Sequence, residues 1–253
     1  MITVASGAEL ARFRECCRMA AELRERLRAM IAAGLELREM DEAARTWLDG
    51  RGARSWFKGY RGYPAHICVS VNEEVIHGIP GKRRMKEGDI VSVDLGVEHG
   101  GFCSDTAFTA PAGKADAPGD KLMRVTREAL ERGLAQARAG NRVGDISAAV
   151  QGHVEAAGFS VVREFVGHGI GRKSHEDPQV PNYGRAGTGP LLVAGQALAI
   201  EPMVNEGLPG IRMLDDGWTT VTADGRRSAH FEHTVLVTAG DPEVMTGSVG
   251  AAG

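Results

Sequence analysis

Two short stretches decide how this sequence folds: IVSVDLG at residues 90–96 and CSDTAFT at residues 103–109. The first is an apolar, β-branched run that ends near a carboxylate, Asp94, and the second resumes with another, Asp105. Between them lie His99, Gly100 and Gly101, and paired glycines are typical of tight turns between antiparallel strands. The pattern predicts a β-hairpin that sets Asp94 and Asp105 side by side.

A second pair of stretches repeats this arrangement further along the chain. ALAIEPM at residues 197–203 and FEHTVLV at residues 231–237 also join apolar runs to carboxylates, Glu201 and Glu232. The internal similarity predicts two similar half-domains. Carboxylates attached to runs with the composition of buried strands are expected to have a function, because isolated acids are rarely buried.

Helical patterns surround these strands, so the fold class is predicted to be mixed α+β. Ser6 and Glu9 have the spacing of a capping box ahead of the first helix. The helices are expected at about 10–30, 37–48, 120–137 and 144–157, and further strands at 67–71 and 161–165. The stretch 178–195 is rich in turn formers, and no clear domain boundary is present. We therefore expect one domain over residues 1–253, with an N-terminal helical segment at about 6–50 and a flexible tail at about 246–253.

Bulk composition limits the possible functions. The 253 residues are 43% hydrophobic and carry a net charge of -3, which is too balanced for a dedicated nucleic-acid binder. Neither a secretory signal nor a membrane-spanning apolar stretch is recognisable. The four cysteines lack Cys-x-x-Cys spacing, a pattern that suits a reducing cytoplasm.

The acids and one histidine together suggest a metal centre. Asp94, Asp105, Glu201 and Glu232 offer hard oxygen donors and His168 a borderline nitrogen, a mixture suited to Mn, Fe, Co or Zn. Two such ions could be bridged by shared carboxylates. Each acid taken singly could equally be a solvated surface group, and a single histidine commonly has a structural role.

Other catalytic motifs are missing from the sequence. The Gly-rich segments lack the strand-to-helix context and the lysine of phosphate-binding loops. The sequence also contains neither a Gly-x-Ser-x-Gly elbow nor a His-Glu-x-x-His helix, so serine hydrolases and zincins are excluded.

An ordered set of motifs resembles the type I methionine aminopeptidases, which have the pita-bread fold: two pseudo-symmetric halves with a curved antiparallel sheet covered by helices. In addition to the four stretches above, the motifs are GYPAHICVSVNEEVIHGIP at 62–80, FVGHGIGRKSHEDPQVPNY at 165–183 and DGWTTVTADGRRSAHFEHTVLVT at 216–238. The resemblance covers nearly the whole chain. It implies removal of the initiator methionine from nascent polypeptides whose second residue is small.

The resemblance also implies a role for individual residues. The expected ligands of two divalent ions are Asp94, Asp105, His168, Glu201 and Glu232, with Asp105 and Glu232 bridging the ions. His77 would contact the substrate near the scissile amide, His175 would hold the substrate carbonyl oxygen, and Glu201 would shuttle a proton. One ion would receive the free α-amino group, which explains action at an N-terminus only. The physiological ion, among Co, Mn, Fe and Zn, stays open.

The substrate methionine side chain is expected in an apolar pocket formed by Tyr60, Tyr63, Cys68 and Trp218. Two residues depart from the pattern of many relatives: Ser174 stands where a large apolar residue is common, and Phe57 where several carry cysteine. We expect Ser174 to leave extra space at this pocket.

Two other functions compete with this interpretation. A prolidase or proline-specific aminopeptidase shares the fold and ligands but normally carries an additional N-terminal domain. A binding protein of the same fold that has lost catalysis typically lacks ligands, and all five are present here. We expect a monomer in the cytoplasm that acts on emerging polypeptides near the ribosome and contacts no membrane.

Overall fold

The computed structural model describes residues 7–247. Within this range the chain forms a short 3-10 turn at Tyr60–Gly62 and four α-helices. The helices are α1 (Gly7–Arg28), α2 (Leu37–Asp49), α3 (Ala117–Ala135) and α4 (Val143–Ala156). No helix of this part of the chain is long and apolar enough to span a membrane.

The described chain also contains fifteen strands. They are β1 (Arg54–Ser55), β2 (Ile67–Val71), β3 (Glu74–Ile76), β4 (Ile90–His99), β5 (Phe102–Pro111), β6 (Ser160–Val161), β7 (Gly167–Gly169), β8 (Glu176–Val180), β9 (Ala197–Ile200), β10 (Met203–Asn205), β11 (Ile211–Met213), β12 (Thr220–Thr222), β13 (Ser228–His230), β14 (Glu232–Leu236) and β15 (Glu243–Val244). The mixed α+β class is confirmed.

One large antiparallel sheet forms the centre of the fold. Its strands lie in the order β1-β4-β5-β14-β9-β7-β8, with β2 paired to β4 and β15 paired to β14. The predicted hairpin is β4–β5, and the similar pair is β9–β14, so the two halves meet where β5 pairs with β14. Two three-stranded sheets, β13-β10-β6 and β11-β12-β3, complete the structure.

Helices cover one face of the large sheet. The Sγ atom of Cys16 on α1 lies 3.4 Å from the Oγ atom of Ser104 on β5. Successive residues of a strand point to opposite faces, so α1 covers the face opposite to the side chain of Asp105. On the second half, a Cβ atom at Gly133 of α3 would come within 2.8 Å of Val150 on α4 and 3.4 Å of Ile200 on β9. This glycine therefore allows α3 to pack closely on both elements.

The structure refines one sequence expectation and corrects two others. Asp94 and Asp105 are diagonal neighbours on one face, because Asp94 lies opposite Ala107 and Asp105 opposite Gly96. The strand expected at 161–165 ends at Val161, since the chain beyond it turns to line a cavity. Residues 178–180, taken as part of a turn-rich stretch, belong to β8.

The structure describes only part of each chain end. Ser6 of the expected capping box lies outside the described residues, as do residues 248–253 of the expected tail. Thr246 does not begin a flexible tail. It is fully buried, and its Oγ atom accepts a hydrogen bond from the backbone N–H of Thr234 at 3.0 Å.

Candidate metal centre

The five expected metal ligands come from five neighbouring strands of the large sheet. Asp94, Asp105, Glu232 and His168 lie on β4, β5, β14 and β7, and Glu201 directly follows β9. Directly paired residues in a sheet point to the same face, and so do residues two positions apart on one strand.

The strand register places all five side chains on one face. Ala107 lies opposite both Asp94 and Glu232, and it is two positions from Asp105. His168 lies opposite Ala199, which is two positions before Glu201. Glu232 and Glu201 follow the same register beyond the last β9 pair, His233 with Ile200. The hydrophobic pattern of the strands thus gathers four acids and an imidazole at one place.

Distances between the side chains match a site for a cation. Ligand atoms of Asp105, His168 and Glu232 lie within 4.8 Å of one another. The Nε2 atom of His168 is 3.5 Å from Oε1 of Glu201 and 3.9 Å from Oδ2 of Asp105. These gaps are too long for good hydrogen bonds and leave room for an ion between the groups.

The protonation of His168 supports the same conclusion. Its Nδ1 atom lies 2.9 Å from the backbone oxygen of Gly169. A carbonyl oxygen can only accept, so Nδ1 carries the ring proton and Nε2 presents a lone pair to the carboxylates. Burial, followed by the charge of His175, lowers the pKa of His168 to about 4, which keeps this ring neutral. A lone pair facing carboxylates is the arrangement of a metal-binding histidine.

The acids are buried with too few hydrogen-bond partners. Oδ1 of Asp94 and Oε1 of Glu232 are buried side-chain atoms that lack a hydrogen-bond partner among the described residues. Burial raises the pKa of Asp94 to about 7. Burial and then repulsion by neighbouring acids raise the pKa values of Asp105, Glu201 and Glu232 well above the usual range. A bound divalent cation would remove these penalties, so the residues fit a metal.

Hydrogen bonds behind the acids hold the two central strands in register. The hydroxyl of Thr234 on β14 accepts from the backbone N–H of Asp105 at 3.0 Å and donates to its carbonyl oxygen at 2.8 Å. The hydroxyl of Thr106 on β5 donates to the carbonyl oxygen of Glu232 at 2.9 Å. The guanidinium of Arg24 on α1, which is buried, donates to the same Thr106 hydroxyl at 3.2 Å.

A cavity of about 820 Å³ opens above the acids. All of the residues expected to contact the substrate line it: Tyr60, Tyr63, Cys68, His77, His175 and Trp218. Tyr63 and Cys68 are buried beside Phe57, and the rings of Tyr63 and Trp218 lie 5.0 Å apart. The cavity therefore combines an apolar aromatic part with the polar cluster.

The two cavity histidines are held differently. His77 has a positive φ of 60°, which is uncommon for a residue other than glycine. Its ring lies edge-on to Phe165 at 5.2 Å, and burial followed by the charge of His175 lowers its pKa to about 4. His175 stacks on Tyr60 with centroids 5.3 Å apart and lies 4.3 Å from His168. Burial, followed by Arg61, lowers the pKa of His175.

The structure gives Ser174 a contact that the sequence did not predict. This residue is not among the described residues that line the cavity. Its Oγ atom instead lies 3.2 Å from Nδ1 of His175. Phe57 does line the cavity and packs edge-on against Trp56, with centroids 4.3 Å apart.

Sequence reasoning missed Trp56, Phe165 and Arg61, which also line the cavity. Trp56 packs edge-on against His175 at 5.3 Å and donates a hydrogen bond from Nε1 to the carbonyl oxygen of Ser104 at 3.1 Å. Gly96 could have indicated Trp56, because a glycine within an apolar strand marks a place where another side chain packs closely against the backbone. Neither Phe165 nor Arg61 has a comparable local signal.

Buried acids and an imidazole at the base of an open cavity are typical of a metal-dependent enzyme. Residues 11–239 match Metallopeptidase family M24, and the chain belongs to that family. It is 48% identical to the methionine aminopeptidase of Clostridium perfringens over 246 residues, which are 97% of this chain and 99% of that protein. It is 46% identical to methionine aminopeptidase 1 of Bacillus subtilis over 97% of this chain and 99% of that one.

Solved structures agree with this assignment. The methionine aminopeptidase of Thermotoga maritima superposes with a TM-score of 0.95 at 44% identity, covering 97% of this chain and 99% of that one. The prolidase of Pyrococcus horikoshii, at 19% identity, superposes with a TM-score of 0.77, and the match covers 64% of its chain. That second likeness concerns the fold alone. The chain has the predicted pita-bread fold.

Proposed function

We propose that this protein is a metal-dependent aminopeptidase that removes the N-terminal methionine from polypeptides with a small second residue. The observation that carries the proposal is the cluster of four buried acids and His168 at the base of an aromatic-lined cavity. The methionine aminopeptidases of Clostridium perfringens and Bacillus subtilis, which align along nearly the whole chain, support the same substrate.

The site would hold two divalent ions, with Asp94, Asp105, His168, Glu201 and Glu232 as ligands and Asp105 and Glu232 shared. The oxygen-rich donor set suits Co, Mn, Fe or Zn, and availability decides among them. Bound ions supply Lewis acidity that activates water, polarises the scissile carbonyl and anchors a free α-amino group.

The chain's own residues then position the substrate and move protons. Glu201 takes the proton of the attacking water and passes it to the leaving amine, as a general acid–base group. Nε2 of His175 donates to the carbonyl oxygen, where negative charge develops in the transition state. His77 contacts the substrate beside the scissile amide.

The apolar part of the cavity would select methionine. Tyr60, Tyr63, Cys68 and Trp218 would surround its unbranched, polarizable side chain, which packs well against aromatic rings. A narrow approach to the metal centre would admit only a small second residue.

The same proposal extends to the setting of the reaction. We infer that residues 1–253 act as one catalytic domain, as a monomer in the cytoplasm, on emerging polypeptides near the ribosome. The two competing functions have less support. The prolidase likeness stops at the fold, and a protein that had lost catalysis would not need all five ligands.

Methionine release is the direct test. The metal-stripped protein, supplied with each divalent ion in turn, is mixed with Met-Ala-Ser, with Met-Leu-Ser, with N-acetyl-Met-Ala-Ser and with a dipeptide ending in proline. We expect metal-dependent release from Met-Ala-Ser alone. Cleavage of the proline dipeptide would instead favour a prolidase, and inactivity with every ion would contradict the proposal. Asp94→Asn serves as the ligand-deficient control.

A further inference from the structure

Ser174 makes an unusual contact for its position in the chain. Its Oγ atom lies 3.2 Å from Nδ1 of His175, and within residues 7–247 this hydroxyl has no other hydrogen-bond partner. A serine hydroxyl can donate its one proton or accept, and Nδ1 of a neutral imidazole can likewise donate or accept, so the contact fits either tautomer of the ring. The nitrogen that carries the ring proton decides which of the two groups donates.

Three rings hold the imidazole of His175 in place. Tyr60 stacks on it with an interplanar angle of 18°, Trp56 meets it edge-on at 85°, and His168 lies against it with centroids 4.3 Å apart. Since Nδ1 is directed to Ser174, the other ring nitrogen, Nε2, is the one available to the cavity that His175 lines.

We propose that Ser174 is a positioning residue whose hydroxyl donates to Nδ1 of His175 and so keeps the ring proton on Nε2. Nε2 then donates that proton in a hydrogen bond to the carbonyl oxygen of the scissile amide. This inference rests on the proposed function, in which His175 faces the substrate carbonyl.

The physical reason is the polarity of the contact with the substrate. If Nδ1 carried the proton, Nε2 would turn a lone pair toward an oxygen that becomes negative in the transition state, and the contact would be repulsive. With the proton on Nε2, the contact becomes a hydrogen bond that strengthens as charge develops. By donating to Nδ1, the hydroxyl stabilises the tautomer that can act as an oxyanion donor.

The test compares Ser174→Thr with Ser174→Val, since these side chains have the same shape and differ in the hydroxyl. Nitrogen-15 spectra of histidine-labelled protein loaded with zinc, which is diamagnetic, report which ring nitrogen carries the proton. We expect the Nε2–H tautomer of His175 in the starting protein and in Ser174→Thr, and a mixture of tautomers in Ser174→Val. For Met-Ala-Ser, kcat should be roughly 3- to 10-fold lower in the valine variant than in the threonine variant, with KM unchanged.

Each result decides the inference. An Nδ1–H tautomer in the starting protein, or identical tautomers in the two variants, overturns it. A tautomer change without a change in kcat overturns the link to catalysis. The spectra need no variant to test the tautomer of the starting protein. They also need no turnover, so a protein that is inactive toward Met-Ala-Ser would contradict the proposed function while leaving the tautomer measurable.

Discussion

The imidazoles of His168 and His175 lie with their centroids only 4.3 Å apart, yet their Nδ1 atoms have different partners. Nδ1 of His168 donates to a backbone carbonyl, whereas Nδ1 of His175 meets a hydroxyl. The first arrangement leaves Nε2 of His168 as a lone pair among the acids. Two adjacent rings of the same chemistry are therefore suited to different tasks, binding of a metal and contact with the substrate.

Alanine at each position should produce a different defect. His168→Ala removes a neutral donor from the metal centre, so metal affinity should fall and excess metal should restore part of the activity. His175→Ala should keep its metal affinity and lose roughly 10²- to 10³-fold in kcat, as when one oxyanion donor is removed. Titration calorimetry with the activating ion and methionine-release kinetics compare the two. Equal loss of metal in both variants would contradict this division.

Because its acids are buried, the metal-free protein should lose stability as pH rises. Asp94 has a pKa of about 7, raised from the ordinary 3.8, and three further acids have pKa values well above the usual range, chiefly because they are buried. The folded state then binds protons that the unfolded chain has already released. The associated stability is lost as pH rises through the folded pKa values.

We therefore expect the free energy of unfolding of the metal-stripped protein to fall as pH rises through about 7, where Asp94 releases its proton in the folded state. Histidines with lowered pKa values do not oppose this trend, because above an unperturbed pKa of about 6.5 they are largely neutral in both states. Urea unfolding at several pH values measures the effect. The metal-loaded protein is the control, and its stability should vary less over this range. Equal slopes with and without metal would argue against a shared cation site.

The cysteines should react only slowly with thiol reagents in the folded protein. All four are buried and free. Burial raises the pKa of Cys16 to about 11 and that of Cys103 to about 12, and it raises the pKa values of Cys17 and Cys68 further above the usual range. Because the thiolate is the reactive form, alkylation by iodoacetamide near neutral pH should be slow. Intact mass should show four adducts only in denaturant, and rapid native labelling would be the opposite result.

The ligand set could be predicted from the sequence because each acid is attached to an apolar run. Asp94 and Glu232 lie within predicted strands, and Asp105 lies just before a predicted strand and within the observed β5. The strand period determines the face to which these residues point. The exact pairing could not be predicted. Asp94 and Asp105 are offset by the register of the hairpin, and register depends on turn geometry as well as pattern.

Other features depend on contacts between distant parts of the chain. Strands such as β7 are only three residues long, so they have too few residues for a detectable period and form only beside longer strands. The contact between the Ser174 hydroxyl and His175 was not predicted, because only the size of this side chain was considered. Thr246 was expected to be flexible because small residues follow it, yet the buried guanidinium of Arg24 donates to its carbonyl oxygen at 2.6 Å.

Substitution of Gly96 tests whether Trp56, which sequence reasoning missed, shapes the substrate site. A Cβ atom there would lie 2.1 Å from Nε1 of Trp56 and 2.7 Å from the ring of Phe57, so Gly96→Ala must displace one or both. Because Trp56 also packs against His175, we expect kcat/KM for Met-Ala-Ser to fall by about 10-fold or more, and stability to fall by about 1–3 kcal/mol from overpacking.

Gly152→Ala on α4 is the matched control, since a Cβ atom there meets nothing within 4 Å. That variant should be more stable by about 0.5–1 kcal/mol, with unchanged kinetics, because alanine is the better helix former. Peptide kinetics and urea unfolding measure both variants. Wild-type kcat/KM in Gly96→Ala would mean that Trp56 does not shape the substrate site.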